Sequence, residues 1–268
     1  MDKIELNEQN VVLLDNVAEG LVGLRILFVN LFAIGEPGNW LLVDAGLYLS
    51  ANRIRAWAER HFGGTAPRAI LLTHAHFDHV GSLEELASQW DVPVYVHPLE
   101  LPYVTGQEKY PPPDPTVGGG LMALMSPFYP RGPIDLSTRA LPLPNEGFIP
   151  GFIEWQWLHT PGHTRGHISL FRERDRALIV GDAFCTTKQE SLLAVAQQKP
   201  ELHGPPAYYT PDWKAARASV ERLAALRPLA LAPGHGQPMA GEHVAEALQD
   251  MADDFDRIAR PDSGRYVA

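Results

Sequence analysis

The stretch Thr73-His74-Ala75-His76-Phe77-Asp78-His79 is the most informative part of this chain. It places three imidazoles and one carboxylate at the spacing His-x-His-x-Asp-His. Neutral imidazole nitrogens and carboxylate oxygens are the usual ligands of zinc and similar divalent ions. Four such side chains cannot all reach one tetrahedral ion that also keeps a position open for chemistry. The spacing therefore favours two metals, one taking His74 and His76 and the other taking Asp78 and His79. A His-rich surface turn is the competing interpretation.

The residues on either side place this motif at the end of a strand. Before it, Ala69-Ile70-Leu71-Leu72 is a short apolar run that is typical of a buried strand. After it, Gly81-Ser82-Leu83-Glu84-Glu85 predicts the start of a helix, with Ser82 and Glu85 at the spacing of a capping box. The candidate ligands therefore lie on a strand-to-helix connection, where open α/β sheets place their binding sites.

Three apolar runs further along the chain each lead to a glycine followed by one candidate ligand. They supply His163 after the run Phe152 to Leu158, Asp182 after Ala177 to Val180, and His235 after Leu229 to Ala232. A single Gly-His pair is usually an ordinary loop, so the recurrence after apolar runs carries the prediction. We expect these three side chains to converge on the His74–His79 motif.

With these motifs, the chain resembles the metallo-β-lactamase superfamily from about Val11 to about Met239, and within it the glyoxalase II-like hydrolases. The length and the apolar segments around the expected site are similar to those of the lactonases of that superfamily. The resemblance implies an α/β (α+β) fold, an αββα sandwich of two mixed β-sheets with outer helices and the metal site at one edge. We expect one domain of this kind over residues 1–268.

The resemblance also implies a complete set of seven metal ligands. His74, His76 and His163 would hold the first metal, Asp78, His79 and His235 the second, and Asp182 would bridge both together with a water or hydroxide. Asp44 lies in Leu41-Leu42-Val43-Asp44-Ala45-Gly46, a motif that the family places beside the site. A carboxylate behind a metal-bound imidazole fixes its tautomer and raises its basicity. A turn-forming Asp is the alternative for Asp44.

Such a site predicts metal-assisted hydrolysis. Two divalent ions about 3.5–4 Å apart lower the pKa of the water between them towards about 7, so that a bridging hydroxide can attack a carbonyl carbon. Asp78 is expected to relay a proton to the leaving group. The chain contains no Gly-x-Ser-x-Gly elbow that would offer a serine nucleophile. We expect two zinc ions, with iron or manganese as alternatives.

We expect the substrate to be a small ester, lactone or thioester. Superfamily members that hydrolyse glutathione thioesters add a helical C-terminal domain, and only about thirty residues follow His235, so we expect a different substrate. Lactonases place a tyrosine soon after the bridging Asp, where this chain has Phe184. Two alternatives stay open: a mononuclear iron dioxygenase of the same superfamily that oxidises a persulfide or thiol, and a metal-binding protein without catalysis.

The composition of the chain limits the kinds of partner and the cellular compartment that we expect. The 268 residues are 45% hydrophobic and 20% charged, and the net charge of −10 argues against a nucleic-acid partner. Cys185 is the only cysteine, which excludes an internal disulfide and suits a reducing compartment. No apolar run approaches the length of a membrane span, and Met1–Glu5 lacks the pattern of a signal peptide. We expect a cytoplasmic enzyme with a small-molecule substrate and no membrane partner; a homodimer is left open.

Residues 98–150 differ from the rest of the chain in composition. They include Pro111-Pro112-Pro113 and Gly118-Gly119-Gly120, together with several aromatic residues and methionines. Connections of this length are usually functional or disordered. We interpret the segment as a cover that gives the substrate pocket apolar walls, with a structural lobe or an oligomer contact as alternatives. In a second candidate cover, 184–209, Tyr208 and Tyr209 would bring a hydroxyl near the site.

Several local predictions can be compared directly with coordinates. The apolar run Leu24–Phe32 predicts one strand, and helical spacing predicts helices over Leu47–Phe62, Pro211–Leu226 with Thr210 as cap, and Glu242–Arg260. Among the other histidines, His97 is expected to be structural. His159 and His167 flank His163 and are interpreted either as support for the ligands or as packing residues.

Overall fold

The computed structural model describes residues 11–144 and 147–267. The segment Met1–Glu5, two residues of the predicted cover (145 and 146) and residue 268 lie outside the described residues. None of the helices in the described ranges is long and apolar enough to cross a membrane.

The first sheet has seven strands that follow one another in chain order. They are β1 Val11–Ala18, β2 Leu21–Ile26, β3 Val29–Glu36, β4 Asn39–Val43, β5 Ile70–Leu71, β6 Val94–Val96 and β7 Ala140–Pro142. Strands β1 to β4 pair antiparallel, whereas β4 to β7 pair parallel. The sheet is therefore mixed, as predicted.

The second sheet has six strands in the order β13-β12-β11-β10-β9-β8. They are β8 Phe148–Ile149, β9 Phe152–His159, β10 Ile168–Arg172, β11 Ala177–Gly181, β12 Ala230–Pro233 and β13 Met239–Ala240. Only β11 and β12 pair parallel, and the other neighbouring strands are antiparallel. As a result β9, β11 and β12 run in the same direction, and their C-terminal ends point to the same edge.

Nine α-helices connect or cover the strands within the described ranges. They are α1 Ala51–Phe62, α2 Phe77–Val80, α3 Leu83–Trp90, α4 Leu101–Val104, α5 Leu121–Met125, α6 Leu192–Gln197, α7 Trp213–Ala225, α8 Glu242–Asp253 and α9 Phe255–Ile258. Short 3₁₀ turns are formed at Pro98–Glu100, Ser126–Phe128 and Ala207–Tyr209.

Three buried apolar clusters define the layers. One lies between the two sheets, a second joins the first sheet to α1 and α3, and a third joins the second sheet to α7 and α8. Strand β4 shows why: Trp40 and Leu42 face the helices while Leu41 and Val43 face the other sheet, because side chains alternate along a strand. The order is helix, sheet, sheet, helix, and the predicted αββα sandwich is confirmed.

Two predicted elements have different bounds in the structure. The run Leu24–Phe32 is not one strand, because the chain turns between β2 and β3 at Leu27, whose φ is +58°. The helix predicted from Leu47 begins at Ala51, after Leu49 at φ +62°. In both places the turn consists of apolar residues, so the hydrophobic pattern continues through it.

The predicted helix caps are also partly wrong. Ser82 precedes α3, but its hydroxyl donates to Leu47 O at 2.6 Å and accepts from Ser50 N, so no capping box forms. Helix α7 begins at Trp213 rather than Pro211. Its cap is Asp212, which accepts from Ala215 N at 2.9 Å. The predicted helix Glu242–Arg260 is interrupted between α8 and α9.

Candidate metal centre

The structure brings all seven predicted ligands together from the ends of four strands. The His74–His79 motif follows β5, and the remaining ligands follow three strands of the second sheet: His163 follows β9, Asp182 follows β11 and His235 follows β12. Asp44 follows β4, which is parallel to β5. The strand directions therefore account for the meeting of residues that are far apart in the chain.

Glycines allow the close approach of these connections. Gly181 has φ +58°, a left-handed conformation that glycine adopts without strain, and it turns the chain directly before Asp182. A Cβ atom at Gly234 would overlap Asp182 Oδ1 and would lie 3.0 Å from the ring of His79. The glycine before His235 thus leaves the space that the Asp182 carboxylate occupies.

The seven side chains form three overlapping groups with metal-binding geometry. Within each group, one ligand atom per residue lies within 4.8 Å of the others. The groups are His74, His76 and His163; His74, His79 and Asp182; and Asp78, His79 and His235. All seven residues are buried, with exposures of 0–7%. This arrangement has room for more than one ion.

Asp182 lies at the centre of the cluster. Its Oδ2 atom is 3.2 Å from His235 Nε2, 3.4 Å from His163 Nε2 and 4.0 Å from His74 Nε2. Its Oδ1 atom is 3.5 Å from His79 Nε2. One carboxylate therefore faces imidazoles from both predicted metal sites, as a bridging ligand would.

The outer nitrogens of two imidazoles of the second group are held by protein groups. His79 Nδ1 lies 2.9 Å from Asp44 Oδ2 and His235 Nδ1 lies 2.8 Å from Phe28 O. Carboxylate and carbonyl oxygens only accept hydrogen bonds, so both Nδ1 atoms must donate. This tautomer leaves the Nε2 lone pair directed towards the cluster. Such outer contacts orient ligands in metal sites.

Asp44 has further partners that fix its position. Thr73 N donates to Asp44 Oδ1 and Thr73 Oγ1 donates to Asp44 Oδ2, each at 2.8 Å. Asp44 therefore ties β4 to the residue directly before His74. Its contact with His79 is of the kind that the sequence prediction described. Asp44 also has φ +66°, so it turns the chain as the alternative interpretation expected.

Unpaired buried atoms show that the cluster suits a cation. His74 Nε2, His79 Nε2 and Asp182 Oδ1 are buried without a hydrogen-bond partner among the described residues. Leaving a buried polar atom unpaired costs about 1–3 kcal/mol. Three such atoms in one cluster of imidazole and carboxylate groups fit the donor set of zinc, iron or manganese.

Burial keeps the first group of imidazoles in the neutral form that binds metal. It lowers the pKa of His74 and His76 well below the ordinary value for histidine, and neighbouring histidines add to this effect. Burial likewise lowers the pKa of His163 to about 3. These three side chains therefore need no proton removed before they bind an ion near neutral pH.

In the second group, charge interactions between carboxylates and imidazoles outweigh burial in setting the pKa values of His79 and Asp182. Burial acts to lower the pKa of His79, but Asp182 and Asp44 outweigh it and raise that pKa well above its ordinary value. Burial acts to raise the pKa of Asp182, but His235 and His79 hold it well below its usual range. The buried Asp182 charge thus requires positive charge beside it, which a metal ion supplies.

The other histidines divide between two environments. His167 is buried, and its Nε2 accepts from Asp182 N at 2.8 Å, so it supports the ligand loop rather than merely packing. His159 stacks on His97 with ring centroids 4.4 Å apart and contacts none of the predicted ligands. Cys185 is fully buried and belongs to none of the metal-binding groups among the described residues.

Sequence analysis missed a buried carboxylate that links two ligand loops. Glu100 is fully buried, and its Oε2 accepts from Ala75 N at 3.2 Å and from Tyr110 Oη. Its Oε1 accepts from Gly166 N at 2.9 Å. Ala75 lies between His74 and His76, and Gly166 follows His163. Glu100 therefore connects the two segments that carry the first group of ligands. No local pattern predicts it, because its partners lie 25 and 66 positions away.

A second missed residue is Thr210, which we expected to cap a helix. Its hydroxyl donates to Pro206 O at 2.9 Å and lies 3.2 Å from His163 Nδ1. Because the hydroxyl proton is used by Pro206, its oxygen accepts from His163 Nδ1–H. The Nε2 lone pair of His163 then faces the cluster.

A cavity of about 240 Å³ lies beside His76 and His163. Its walls are mainly aromatic residues and prolines that come from both predicted covers. They include Tyr103, Tyr110, Pro111, Pro112, Tyr208 and Tyr209. In contrast, Leu124 and Phe128 of the first predicted cover are exposed to solvent. The part of that segment nearest Tyr110 thus lines the site, and the function of the remainder as a cover stays a prediction.

Comparison with known proteins identifies the family. The model of the metallo-beta-lactamase superfamily matches residues 24–235, which contain all seven predicted ligands. The chain belongs to the metallo-β-lactamase superfamily. The predicted family is therefore confirmed, and the assignment of each ligand to a metal stays a prediction that rests on the geometry above.

Individual relatives agree with this membership of the metallo-β-lactamase superfamily. The chain is 48% identical over 245 residues to a Bacillus subtilis (strain 168) protein named "Probable metallo-hydrolase YflN", covering 90% of this chain and 93% of that protein. These findings support the predicted class, a metal-dependent hydrolase.

Two solved structures of similar proteins extend the comparison. TTHA1623, solved in a di-iron-bound form, is 29% identical with a TM-score of 0.54 over 80% of this chain and 90% of that protein. The B3 metallo-β-lactamase BLEG-1 is 23% identical with a TM-score of 0.56 over 84% of this chain and 91% of that protein. The second similarity concerns the fold alone.

Proposed function

We propose that this protein is a dinuclear metal-dependent hydrolase of a small ester, lactone or thioester. One observation carries the proposal: the Asp182 carboxylate lies within 4.0 Å of imidazoles from both predicted groups, His163 and His74 of the first and His79 and His235 of the second. A single ion would not need seven ligands. His74, His76 and His163 would hold one ion, Asp78, His79 and His235 the other, and Asp182 both.

Zinc is the ion that we expect, because imidazole and carboxylate ligands suit it. When bound, two such ions polarise the acyl oxygen and lower the pKa of the water they share towards about 7, which supplies hydroxide near neutral pH. The same ligands also accept iron or manganese. Iron is a direct alternative, since the similar protein TTHA1623 was solved in a di-iron-bound form.

The chain's own side chains would supply orientation and proton transfer. Asp78 is buried, and its Oδ2 lies 3.5 Å from His235 Nε2. A carboxylate at this position can accept a proton and pass it on. We assign Asp78 the transfer of a proton from the attacking water to the leaving oxygen or sulfur. Asp44 would keep the His79 ring in place during that step.

The surroundings of the cluster favour a small substrate. The cavity of about 240 Å³ is smaller than the roughly 300–1,000 Å³ that pockets for drug-sized ligands usually have. The mononuclear iron dioxygenase remains the alternative function. It requires one iron per chain and consumption of oxygen with a persulfide or thiol, whereas hydrolysis requires neither.

The proposal is tested by loading the purified protein separately with zinc, manganese and, without oxygen, iron(II). Each form is assayed with a panel of lactones, 4-nitrophenyl esters and thioesters, and with glutathione persulfide while oxygen is monitored. We expect hydrolysis of at least one panel member, loss of that activity after chelation, and its abolition by Asp182→Ala and by His76→Ala. Oxygen consumption without hydrolysis would support the dioxygenase, and complete inactivity would contradict both.

A further inference from the structure

We propose that the cavity beside His76 and His163 selects substrates that carry a carboxylate, with Tyr209 binding the reacting carbonyl oxygen and Arg165 binding the carboxylate. This inference rests on the proposed function and narrows its substrate class. It assigns two residues of the cavity to two different parts of one substrate molecule.

Tyr209 offers a hydroxyl with no other use in the structure. Its side chain lines the cavity, the residue is 7% exposed, and its hydroxyl is buried without a hydrogen-bond partner among the described residues. The ring stacks on His76 with centroids 4.4 Å apart and planes inclined by 24°. The stacking fixes the Tyr209 ring against a predicted ligand of the first metal, and we assign its unpaired hydroxyl to the acyl oxygen of the substrate.

The chemistry of a tyrosine hydroxyl fits this role. An unpaired buried hydroxyl is costly, and it gains a partner when a carbonyl oxygen enters. A donor that is already fixed before the reaction stabilises the charge that develops on the acyl oxygen in the transition state. Because the stacking on His76 uses the ring, the hydroxyl itself is free for the substrate.

Arg165 places a guanidinium without an ion-pair partner among the described residues on the same cavity. Its side chain is exposed and lines the cavity two positions after His163. Within residues 11–144 and 147–267 it forms no ion pair, and no side-chain hydrogen bond. The acidic residue on the cavity wall, Asp212, caps α7 through Ala215 N instead. An arginine that lines a cavity beside a site and forms no ion pair there is a candidate for binding an anionic group.

The remaining walls favour a compact organic substrate over a free inorganic anion. Aromatic and apolar surface lines the cavity alongside Arg165 and Tyr209. It comes from Tyr110, Pro111, Pro112, Tyr208 and Tyr266. Such surface packs against the carbon skeleton that joins the carbonyl to the carboxylate. The cavity of about 240 Å³ limits that skeleton to a short one.

Two pairs of substrates test the role of Arg165. The first pair, mono-4-nitrophenyl glutarate and 4-nitrophenyl pentanoate, differs by a carboxylate on the acyl side. The second, 4-carboxyphenyl acetate and phenyl acetate, differs by a carboxylate on the leaving group. In at least one pair we expect kcat/KM to be about 10- to 100-fold higher for the charged member, as a charge-assisted hydrogen bond would provide.

Arg165→Gln should bring the charged-to-neutral ratio of kcat/KM close to one, mainly by raising KM for the charged member. Arg60→Gln is the matched control, because it removes the same charge from an exposed position of α1 far from the cavity lining. The inference on Arg165 is overturned if neither pair shows a preference or if the preference survives in Arg165→Gln.

Tyr209→Phe tests the hydroxyl separately. We expect kcat to fall about 10- to 100-fold for charged and neutral substrates alike, with metal content and thermal midpoint unchanged, because phenylalanine keeps the ring against His76. Tyr48→Phe, at a residue that is 78% exposed, is the control. Unchanged kcat in Tyr209→Phe refutes its role. If esters are cleaved but cleavage depends on neither Arg165 nor Tyr209, this inference fails while the proposed hydrolase function stands. If no substrate is cleaved at all, the proposed function itself fails.

Discussion

At the scale of single residues, the charge of Asp182 explains much of the site. Its carboxylate is buried at 2% exposure among four imidazoles, and one of its oxygens has no hydrogen bond among the described residues. A buried carboxylate is stable only where positive charge or hydrogen bonds surround it. Protonated histidines and metal ions compete for that position. The residues behind the imidazoles therefore decide how firmly the ligands are presented to an ion.

Asp44 provides a direct test at this scale. We predict that Asp44→Asn lowers the affinity for one metal about 10- to 100-fold, because the amide no longer supplies a charged acceptor to His79 Nδ1. Competition with a chromophoric chelator measures this affinity. Asp250→Asn, at an exposed position of α8, should have no effect. Wild-type affinity in Asp44→Asn would show that the 2.9 Å contact does not support the ligand.

The sequence indicated which histidines and aspartates cluster better than it indicated the residues that hold them in place. Close spacing marks His74, His76, Asp78 and His79 as candidate ligands. A glycine at a strand end precedes each of the others, which are His163, Asp182 and His235. Thr210 and Glu100 have no such pattern. Their contacts with His163 and Gly166 span 47 and 66 positions, so they depend on how the two sheets pack.

At the scale of elements, the direction of the strands brings the ligands together. Strands β9, β11 and β12 point the same way, and tight connections follow each of them. Gly162 lies in close contact with helix α7, in the loop that carries His163. Its φ is +137°, and a Cβ atom there would overlap the backbone of Ala216 in α7. The His163 loop therefore lies directly against that helix.

We predict that Gly162→Ala lowers the free energy of unfolding by about 1–3 kcal/mol more than Gly64→Ala does. Both glycines have positive φ, but a Cβ at Gly64 would meet open space, so the difference isolates the overlap with α7. Denaturant unfolding of the metal-loaded proteins measures it. Equal destabilisation by the two substitutions would mean that the loop moves away from α7 at little cost.

Element bounds were less predictable than element types. The β2–β3 turn at Leu27 and the loop before α1 consist of apolar residues, and hydrophobic periodicity alone continues through both. Likewise, Ser82 uses its hydroxyl to join Leu47 and Ser50 rather than to cap α3. For Ser82, a contact between distant residues, which the local sequence does not contain, decided the outcome.

At the scale of the whole molecule, the αββα order was predictable because it followed from the family resemblance and from two rounds of apolar strands followed by helices. The three apolar clusters explain why that order is stable, since both sheets are covered on both faces. The single domain over residues 1–268, the cytoplasmic location and the homodimer that was left open stay predictions.

The most direct test of the dinuclear site is the anomalous diffraction signal from crystals of the zinc-loaded protein, recorded on both sides of the zinc absorption edge. We predict two peaks per chain: one among His74, His76 and His163, the other among Asp78, His79 and His235, with Asp182 in contact with both. A single peak, or a second peak away from Asp78 and His235, would contradict the account.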